Sequence, residues 1–344
     1  MNSPVVIRSE EDLDELLSRP GAALREAIRQ LHSPLVVLGA SGKMGPSLCW
    51  LAKRAADAVN HSLRIIAVSR FSDAKNRAWL ESRGIETIAC DLLRRDSIDN
   101  LPDAENLVYL VGLKFGTSEN PSLTWATNTL VPSRVAERYP HSRLVALSTG
   151  NVYPFVPPAS GGATEDQPAR PVGEYASAAL ARERILDYYS RAQETQVAIL
   201  RLNYAVELRY GVLVEIAQKV WKQEPIAVDT SHFNCIWQAD ANDMILRSFA
   251  LASAPSSVFN LTGPDTLSVR ELAERFGQRM HRQPSFSGVE APTALLSNSS
   301  RLCARLGAPP TPLEDILQWT ADWISREGRT LGKPTHFEVR SGEY

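Results

Sequence analysis

The feature that most constrains the fold is an alternation, from Leu35 onward, of short apolar runs with stretches of helical periodicity. Most of the runs are nearly continuous apolar stretches, without the polar residue at every second position that a half-exposed strand carries. The runs are Leu35–Leu38, Leu63–Val68, Ile85–Ala89, Leu107–Val111, Leu144–Leu147 and Val197–Leu200. Apolar strands separated by helices are typical of a parallel sheet that is covered on both faces. The alternation therefore predicts an α/β fold with a doubly wound parallel sheet.

The same pattern divides the chain into four parts. They are an N-terminal helical extension (1–33), a sheet domain (34–205, with strand 256–263 returning to the sheet), a smaller, partly interleaved C-terminal domain (206–255 and 264–327) and a tail (328–344). The extension opens with a helix cap at Ser9 and continues with amphipathic periodicity. Because it precedes the first strand, we expect it to cover a sheet edge or a partner subunit. The tail mixes charges with helix breakers, which predicts an irregular surface segment.

Composition excludes several classes of protein. The formal net charge is -2, so the chain as a whole is not attracted to nucleic acid or to an anionic membrane. No apolar run approaches the roughly 20 residues of a membrane helix, and the first ten residues lack the apolar core of a signal peptide. The cysteines are far apart and the histidines lack ligand spacing, which predicts reduced cysteines and no metal site. We expect a cytoplasmic protein.

A glycine-rich turn joins the first strand to the first helix of the sheet domain. In such a turn backbone N–H groups approach a pyrophosphate, and the positive end of the helix dipole adds to the attraction. A spacing of glycines alone is a weak signal, but here it lies between a strand and a helix. The residues of the cradle are Gly39, Ser41, Gly42, Lys43, Met44 and Gly45. The turn predicts a Rossmann-type domain that binds a dinucleotide, with Lys43 as an added positive charge.

The end of the second strand bears on the choice of cofactor. Enzymes that use NAD usually place an acid there for the ribose 2′-hydroxyl, whereas a basic residue accommodates the 2′-phosphate of NADP. This strand ends in Ser69-Arg70, with no acid. The guanidinium of Arg70 favours NADP, with NAD possible. The alternative is that Arg70 is a solvated arginine at a strand end.

Further motifs follow in order after the glycine turn. They are Asp91-Leu92 after the third strand, Asn128 in the fourth helix, Ser148-Thr149 after the fifth strand, Tyr175 at the start of the next helix, Asn203 after the sixth strand and the return strand with Gly263. From about Leu35 to Trp323 the chain resembles the extended short-chain dehydrogenase/reductases, the family of nucleotide-sugar epimerases and dehydratases. The resemblance implies that Asp91 and Leu92 lie against the adenine. Val111 and Gly112 lie at the C-terminal end of the fourth strand, at an edge that in such sheets borders the nicotinamide, and are expected to bind the cofactor.

The resemblance also implies hydride transfer coupled to proton transfer. The family's tyrosine acts as acid and base, a lysine four residues later lowers its pKa, and a Ser/Thr hydroxyl orients the substrate oxygen. Tyr175 and Thr149 occupy the first and third positions, and Asn128 is the family's helix asparagine, but Ala179 stands in the place of the lysine. Three interpretations are open: another residue supplies the lysine's role, a less activated tyrosine works alone, or the protein binds cofactor without catalysis.

Lys114 is the lysine that elimination leaves for this role. The other lysines belong to the glycine turn, the outer part of the cofactor half, the later domain or the tail, whereas Lys114 follows the fourth strand. We therefore hypothesise that Lys114 replaces the missing ammonium near Tyr175. The alternative is an ordinary lysine in a surface loop.

The resemblance weakens where the family's nucleotide-sugar enzymes carry an arginine for the substrate diphosphate. Phe233 falls at about that place, which favours a free sugar, a sugar acid or another small polyol-like carbonyl over a nucleotide sugar. Asn151, Asn203 and Trp237 are expected to line the substrate site, with a core aromatic as the alternative for Trp237. Arg209 offers an anion contact or, alternatively, a structural ion pair.

Together these features predict an NAD(P)-dependent oxidoreductase or epimerase that acts on a sugar-like carbonyl or hydroxyl. The alternative is an NADP-binding sensor or scaffold with reduced catalysis. In the family the fourth and fifth helices often pair between subunits, so the resemblance implies a homodimer. The charged run Arg182-Glu183-Arg184 on the later helix is most simply a solvated face, part of which a partner could bury.

Overall fold

A computed structural model describes residues 6–343 of the chain. Its central strands are β1 (Leu35–Leu38), β2 (Ile65–Ser69), β3 (Glu86–Ala89), β4 (Asn106–Tyr109), β5 (Arg143–Thr149), β6 (Gln196–Leu202) and β11 (Ser257–Leu261). These strands form one sheet in the order β11-β6-β5-β4-β1-β2-β3, and every neighbouring pair is parallel. The doubly wound α/β fold expected from the apolar runs is confirmed.

Helices cover the sheet and build the smaller domain. They are α1 (Glu10–Leu17), α2 (Ala22–Ile28), α3 (Gly45–Ala58), α4 (Ala74–Glu81), α5 (Arg95–Asp99), α6 (Pro121–Arg138), α7 (Gly173–Gln193), α8 (Val212–Lys222), α9 (Gln238–Arg247), α10 (Val269–Met280), α11 (Ser300–Leu306) and α12 (Leu313–Ser325). Short paired strands complete the smaller domain, namely β7 (Ala205–Val206), β8 (Ile226–Ala227), β9 (His232–Phe233), β10 (Ile236–Trp237), β12 (Leu267–Ser268) and β13 (Phe286–Ser287). No helix among the described residues is both long and apolar enough to cross a membrane.

The strand β1 shows why the sheet needs two apolar faces. Its side chains alternate between the faces, and all of them are fully buried. Leu35 and Val37 pack in the cluster that contains α3, whereas Val36 and Leu38 pack in the cluster that contains Val131 of α6. A strand with apolar residues at every position is thus stable only between two helical layers.

The N-terminal extension packs on the helical layer rather than on a sheet edge. Leu24 and Ile28 of α2 share a core cluster with α3 and with Met244 of α9. Leu13 and Leu17 of α1 join the core of the smaller domain instead. The expected contact with a sheet edge is therefore wrong, whereas a contact with a partner subunit stays a prediction. Helix α9, which the sequence assigned to the smaller domain, packs on the sheet domain through Met244.

The tail is irregular, as expected, but it is anchored. Phe337 is buried in the core of the smaller domain. The Thr335 hydroxyl donates to the Glu215 carboxylate at 3.0 Å, and the Thr335 amide donates to the other oxygen of the same carboxylate. At its far end Gly342 lies against Gly173, the first residue of α7. The tail thus crosses from α8 to the start of the helix that carries Tyr175.

Candidate active site

The elements converge on a cavity of about 260 Å³ at the carboxyl ends of the central strands. This is the edge where open parallel sheets bind their ligands. The lining residues come from the glycine turn, the ends of β4, β5 and β6, the start of α7, the entry to α8 and the tail. They are Gly39, Gly42, Lys43, Met44, Gly45, Leu110, Lys114, Leu147, Ser148, Thr149, Asn151, Tyr175, Leu202, Asn203, Tyr204, Ala205, Tyr210, Gly211, Val212 and Thr335.

The glycine turn is packed so closely that side chains would not fit. Gly39 has φ +82°, and a Cβ there would lie 3.1 Å from the backbone of Leu110 and Val111. A Cβ on Gly45 would lie 2.2 Å from the carbonyl oxygen of Ala40. With α3 beginning at Gly45, backbone N–H groups and a helix N-terminus face the cleft. This cradle fits the pyrophosphate of a dinucleotide.

The end of β2 lies beside the turn. The Ser69 hydroxyl is hydrogen-bonded to that of Ser41. Arg70 is exposed, and its side chain forms no hydrogen bond or ion pair within residues 6–343. At the end of β3, the Asp91 carboxylate accepts from the Leu93 amide at 3.0 Å, and the neighbouring Leu92 is buried. The Arg70 guanidinium is therefore exposed at the end of β2, beside the glycine turn.

The end of β5 fixes the hydroxyl expected to orient the substrate. Thr149 donates from Oγ1 to the Asn151 side-chain oxygen at 3.0 Å and accepts from the Asn151 amide at 3.2 Å. Thr149, Asn151, Tyr175 and Asn203 all line the cavity. The strand continues two residues beyond its apolar run, since Ser148 and Thr149 pair with Arg201 and Leu202 of β6.

The position of the missing lysine is filled by core packing. Ala179 is fully buried in a cluster with Val152, Tyr153 and Val156. Lys114 reaches the cavity from another element, and its Nζ donates to the Thr335 carbonyl at 3.0 Å. Burial lowers the pKa of Lys114 to about 8, against the attraction of Glu215. The structure thus brings Lys114 and Tyr175 into the lining of one cavity.

Lys43 is the other cation in this lining. Its Nζ donates to the Ala205 carbonyl at 2.5 Å and lies 4.3 Å from the centre of the Tyr210 ring. Burial lowers the pKa of Lys43 to about 8, partly offset by Glu207. The side chain therefore crosses the cleft instead of following the backbone of the turn.

A buried polar network supports the site from below. The Glu183 carboxylate pairs with the Arg201 guanidinium at 2.7 Å and accepts from the Ser148 hydroxyl, and Arg201 donates to the Tyr153 hydroxyl at 2.7 Å. Arg182 donates to the Val111 carbonyl and to the Asn128 side chain, both at 2.8 Å. The expectation of a solvated charged face at 182–184 is thus wrong for its first two residues, because each has a buried partner.

Several expected residues lie behind the cavity wall. Asn128 is fully buried, and its side chain accepts a hydrogen bond from the Arg182 guanidinium. The same guanidinium donates to the Val111 carbonyl and packs closely on Gly112, where an added Cβ would lie 2.9 Å from it. Trp237 is buried and packs against the Trp319 ring, 5.5 Å between centres. A core aromatic is therefore the interpretation that fits Trp237, and the Asn128 side chain contacts Arg182 rather than the cavity.

Arg209 forms structural ion pairs, the alternative given for it above. Its guanidinium binds Glu207 at 3.0 Å, Asp14 at 3.1 Å and Glu10 at 3.4 Å. It does not line the cavity, and it ties α1 to the segment after β7. Phe233, too, is fully buried in the core of the smaller domain. The expectation that Arg209 and Trp237 line the substrate site is therefore wrong, because their side chains are engaged in other contacts and neither lines the cavity.

Sequence reasoning missed the residues that long-range folding brings in. Tyr204, Tyr210 and Thr335 line the cavity, and the first two follow residues that the sequence analysis names, Asn203 and Arg209. Tyr210-Gly211 offered one signal, a glycine just before an apolar helix, where φ is now +137°. No sequence signal indicated Thr335, because the tail has no apolar periodicity of its own.

The fold and the glycine turn place the chain in the class of Rossmann-type dinucleotide-binding proteins. The model of the NAD dependent epimerase/dehydratase family matches residues 35–206, and the chain belongs to that family. No curated protein sequence matches it.

Solved structures share the fold at low sequence identity. One is UDP-glucuronic acid 4-epimerase from Bacillus cereus in complex with NAD, 16% identical, with TM-score 0.71 and coverage of 90% of this chain and 100% of that chain. A second is the UDP-glucose 4-epimerase of Thermus thermophilus in complex with NAD, 18% identical, with TM-score 0.68 and coverage of 84% and 98%. A third is dTDP-glucose 4,6-dehydratase from Streptomyces venezuelae, 17% identical, with TM-score 0.71 and coverage of 86% and 97%. The likeness concerns the fold.

Proposed function

We propose that this protein is an NADP-dependent oxidoreductase or epimerase that acts on a small sugar-like carbonyl or hydroxyl. The observation that carries the proposal is the convergence of Thr149, Tyr175 and Lys114 with the glycine turn around one cavity. Proton transfer needs a titratable group, an orienting group and a charge that stabilises the transferred state, all within reach of one substrate oxygen. These three side chains supply those roles beside a dinucleotide cradle.

Each residue has a defined part in the reaction. The nicotinamide, when bound, supplies hydride transfer to or from a substrate carbon. Tyr175 moves the proton between its hydroxyl and the substrate oxygen, while Thr149, itself held by Asn151, orients that oxygen. The Lys114 ammonium stabilises the phenolate in place of the family's lysine. Asn203 and Tyr210 contribute further polar groups to the lining.

Two observations support a substrate smaller than a nucleotide sugar. The tail forms part of the cavity wall through Thr335, and the cavity has a volume of about 260 Å³. Phe233 lies in the segment where the family's nucleotide-sugar enzymes carry an arginine. Its neighbour Asn234 is buried and neutral, and the Asn234 side-chain oxygen accepts a hydrogen bond from the Ser297 amide at 2.8 Å. No guanidinium is therefore available there for a diphosphate.

The alternative function is an NADP-binding sensor or scaffold. The burial of Ala179 in the core favours it, because no lysine can act from that position. The retention of Thr149, Tyr175 and a second lysine in one cavity favours the enzyme. We also propose a homodimer through α6 and α7, since Leu130 and Tyr188 on these helices are 49% and 64% exposed.

The decisive experiment is a titration of the purified protein with NADPH and NADH, followed by nicotinamide fluorescence. It is combined with turnover assays on free sugars and sugar acids and with Tyr175→Phe. We expect Tyr175→Phe to bind cofactor normally and to lose about 100-fold or more in kcat. Tight binding without turnover of any compound would support the sensor, and a fully active Tyr175→Phe would refute the proposed mechanism.

Cofactor preference is tested separately. We expect Arg70→Ala to weaken NADPH binding by about tenfold and to leave NADH binding unchanged, because only NADPH carries the 2′-phosphate. Arg64→Ala, at the other end of β2, is the matched control, since Arg64 is paired with Glu86 at 2.7 Å. Equal losses for both cofactors in Arg70→Ala would contradict the assignment of NADP.

A further inference from the structure

The side chain of Lys43 is directed away from the turn that contains it. Its ammonium lies at the wall formed by Ala205 and Tyr210, both after β6, where the chain enters the smaller domain. A phosphate-binding turn acts through its backbone N–H groups, which this side chain leaves behind. Lys43 therefore presents its charge on the substrate side of the cleft.

Two nearby acids attract these lysines, Glu207 acting on Lys43 and Glu215 on Lys114, but both are hydrogen-bonded to other groups and neither lines the cavity. Glu207 accepts from the Arg209 amide at 3.2 Å and from its guanidinium at 3.0 Å, and Glu215 accepts from Thr335. Among the described residues, the cavity lining contains Lys43 and Lys114 but no Asp or Glu. The hydrogen-bond acceptor of the Lys43 ammonium is a neutral backbone carbonyl, that of Ala205.

This arrangement leaves positive charge in a cleft of low dielectric. A buried cation that is held by a neutral carbonyl costs free energy, as the lowered pKa of Lys43 also indicates. Such groups are concentrated at functional sites, where a ligand supplies the missing charge. An anionic substrate would bind more tightly here than a neutral one of the same shape.

We propose that the substrate is a small sugar acid whose carboxylate binds Lys43, exchanging with the Ala205 carbonyl beside the Tyr210 ring. The inference rests on the proposed function for the reaction and adds the charge of the substrate and the residue that recognises it. Lys114 keeps its separate task at Tyr175. The diphosphate of the cofactor is the other anion that Lys43 could meet, and the test distinguishes the two.

The test uses ligand pairs that differ in this one charge: D-glucuronate with D-glucose, and D-gluconate with D-glucitol. Each is titrated calorimetrically into the full-length protein saturated with whichever of NADPH and NADH binds tighter. We expect the acid of at least one pair to bind about tenfold tighter than its neutral partner. Lys43→Met should bring that ratio near one, Lys43→Arg should keep most of it, and cofactor affinity should stay unchanged in both.

Lys53→Met is the matched control, because Lys53 follows on α3 and pairs with Asp57 at the surface. The inference is overturned if neither acid binds, if acids and neutral compounds bind equally, or if Lys43→Met weakens the cofactor and leaves the ratio intact. Tyr175-dependent turnover of neutral compounds alone would refute this inference and leave the proposed function standing. A Lys43-dependent preference for acids without any turnover would support this inference and refute the proposed enzymatic function.

Discussion

Lys114 donates from Nζ to the backbone carbonyl of Thr335 at 3.0 Å, across 221 residues of sequence. Thr335 is itself held by the Glu215 carboxylate through both its amide and its hydroxyl. The ammonium that we propose acts beside Tyr175 is thus held by the tail, and the tail is held by α8. The charge proposed to replace the family's lysine therefore depends on tertiary contacts that lie far in sequence from the tyrosine motif.

The pH dependence of turnover should report on Lys114. Because its pKa is lowered to about 8, the ammonium is charged below that pH and neutral above it. If the charge stabilises the phenolate, kcat should fall as pH rises through about 8, and Lys114→Arg should remove this limb because a guanidinium stays protonated. The measurement is kcat against pH for both proteins. A limb that persists unchanged in Lys114→Arg would assign it to another group, such as Lys43.

Removing the carboxylate of Glu215 should release the tail. Glu215→Ala deprives the Thr335 amide of its acceptor, so amide hydrogen exchange across residues 330–343 should be about tenfold faster. Glu224→Ala, an exposed acid just after the same helix, should leave exchange unchanged. Turnover should fall with tail release, because Lys114 loses the carbonyl that positions it. Unchanged exchange in Glu215→Ala would show that other contacts suffice to hold the tail.

The strands were predictable because their signal is local. A strand buried on both faces needs apolar residues at successive positions, and β1 coincides with its apolar run. The apolar run of β5 ends before the strand does, because Ser148 and Thr149 are polar. Both residues nevertheless pair with β6 and so belong to the strand. The glycine turn could also be predicted, since close backbone approach excludes a Cβ at Gly45.

The remainder of the site depended on contacts that periodicity does not encode. Arg182 and Glu183 resemble a solvated face, because sequence does not show that Arg201 and Asn128 lie opposite them. Thr335 reaches the cavity only because the tail folds back over α8. Lys114 was found by eliminating other lysines, an argument from topology rather than from a motif.

A methyl group on Gly45 should disrupt the cofactor cradle. The Cβ of Gly45→Ala would lie 2.2 Å from the Ala40 carbonyl oxygen, so the backbone of the turn must shift. We expect NADPH affinity to fall by about tenfold or more, because the N–H groups lose their alignment. Gly21→Ala is the control, since its Cβ would meet nothing closer than the Asp243 carboxylate at 3.9 Å. Normal NADPH binding by Gly45→Ala would show that the turn does not hold the pyrophosphate.

The buried ion pair between Arg201 of β6 and Glu183 of α7 should matter far more to stability than an exposed pair within α7. The side chains of Arg201 and Glu183 are 6% and 4% exposed, so Arg201→Met leaves a buried carboxylate without its partner. We expect a loss of about 3–5 kcal/mol in the free energy of unfolding. Arg191→Met makes the same chemical change at a guanidinium that is 62% exposed, and should cost less than about 1 kcal/mol.

Urea unfolding of both variants, followed by circular dichroism, measures the difference. Arg201→Met should also lower kcat. Without Arg201 the Glu183 carboxylate is no longer held in place, and the Ser148 hydroxyl donates to that carboxylate. Ser148 directly precedes Thr149, so the end of β5 should become less well positioned. Arg191→Met should leave kcat unchanged. Similar stability losses in the two variants would mean that the network is solvated and does not hold the end of β5 in place.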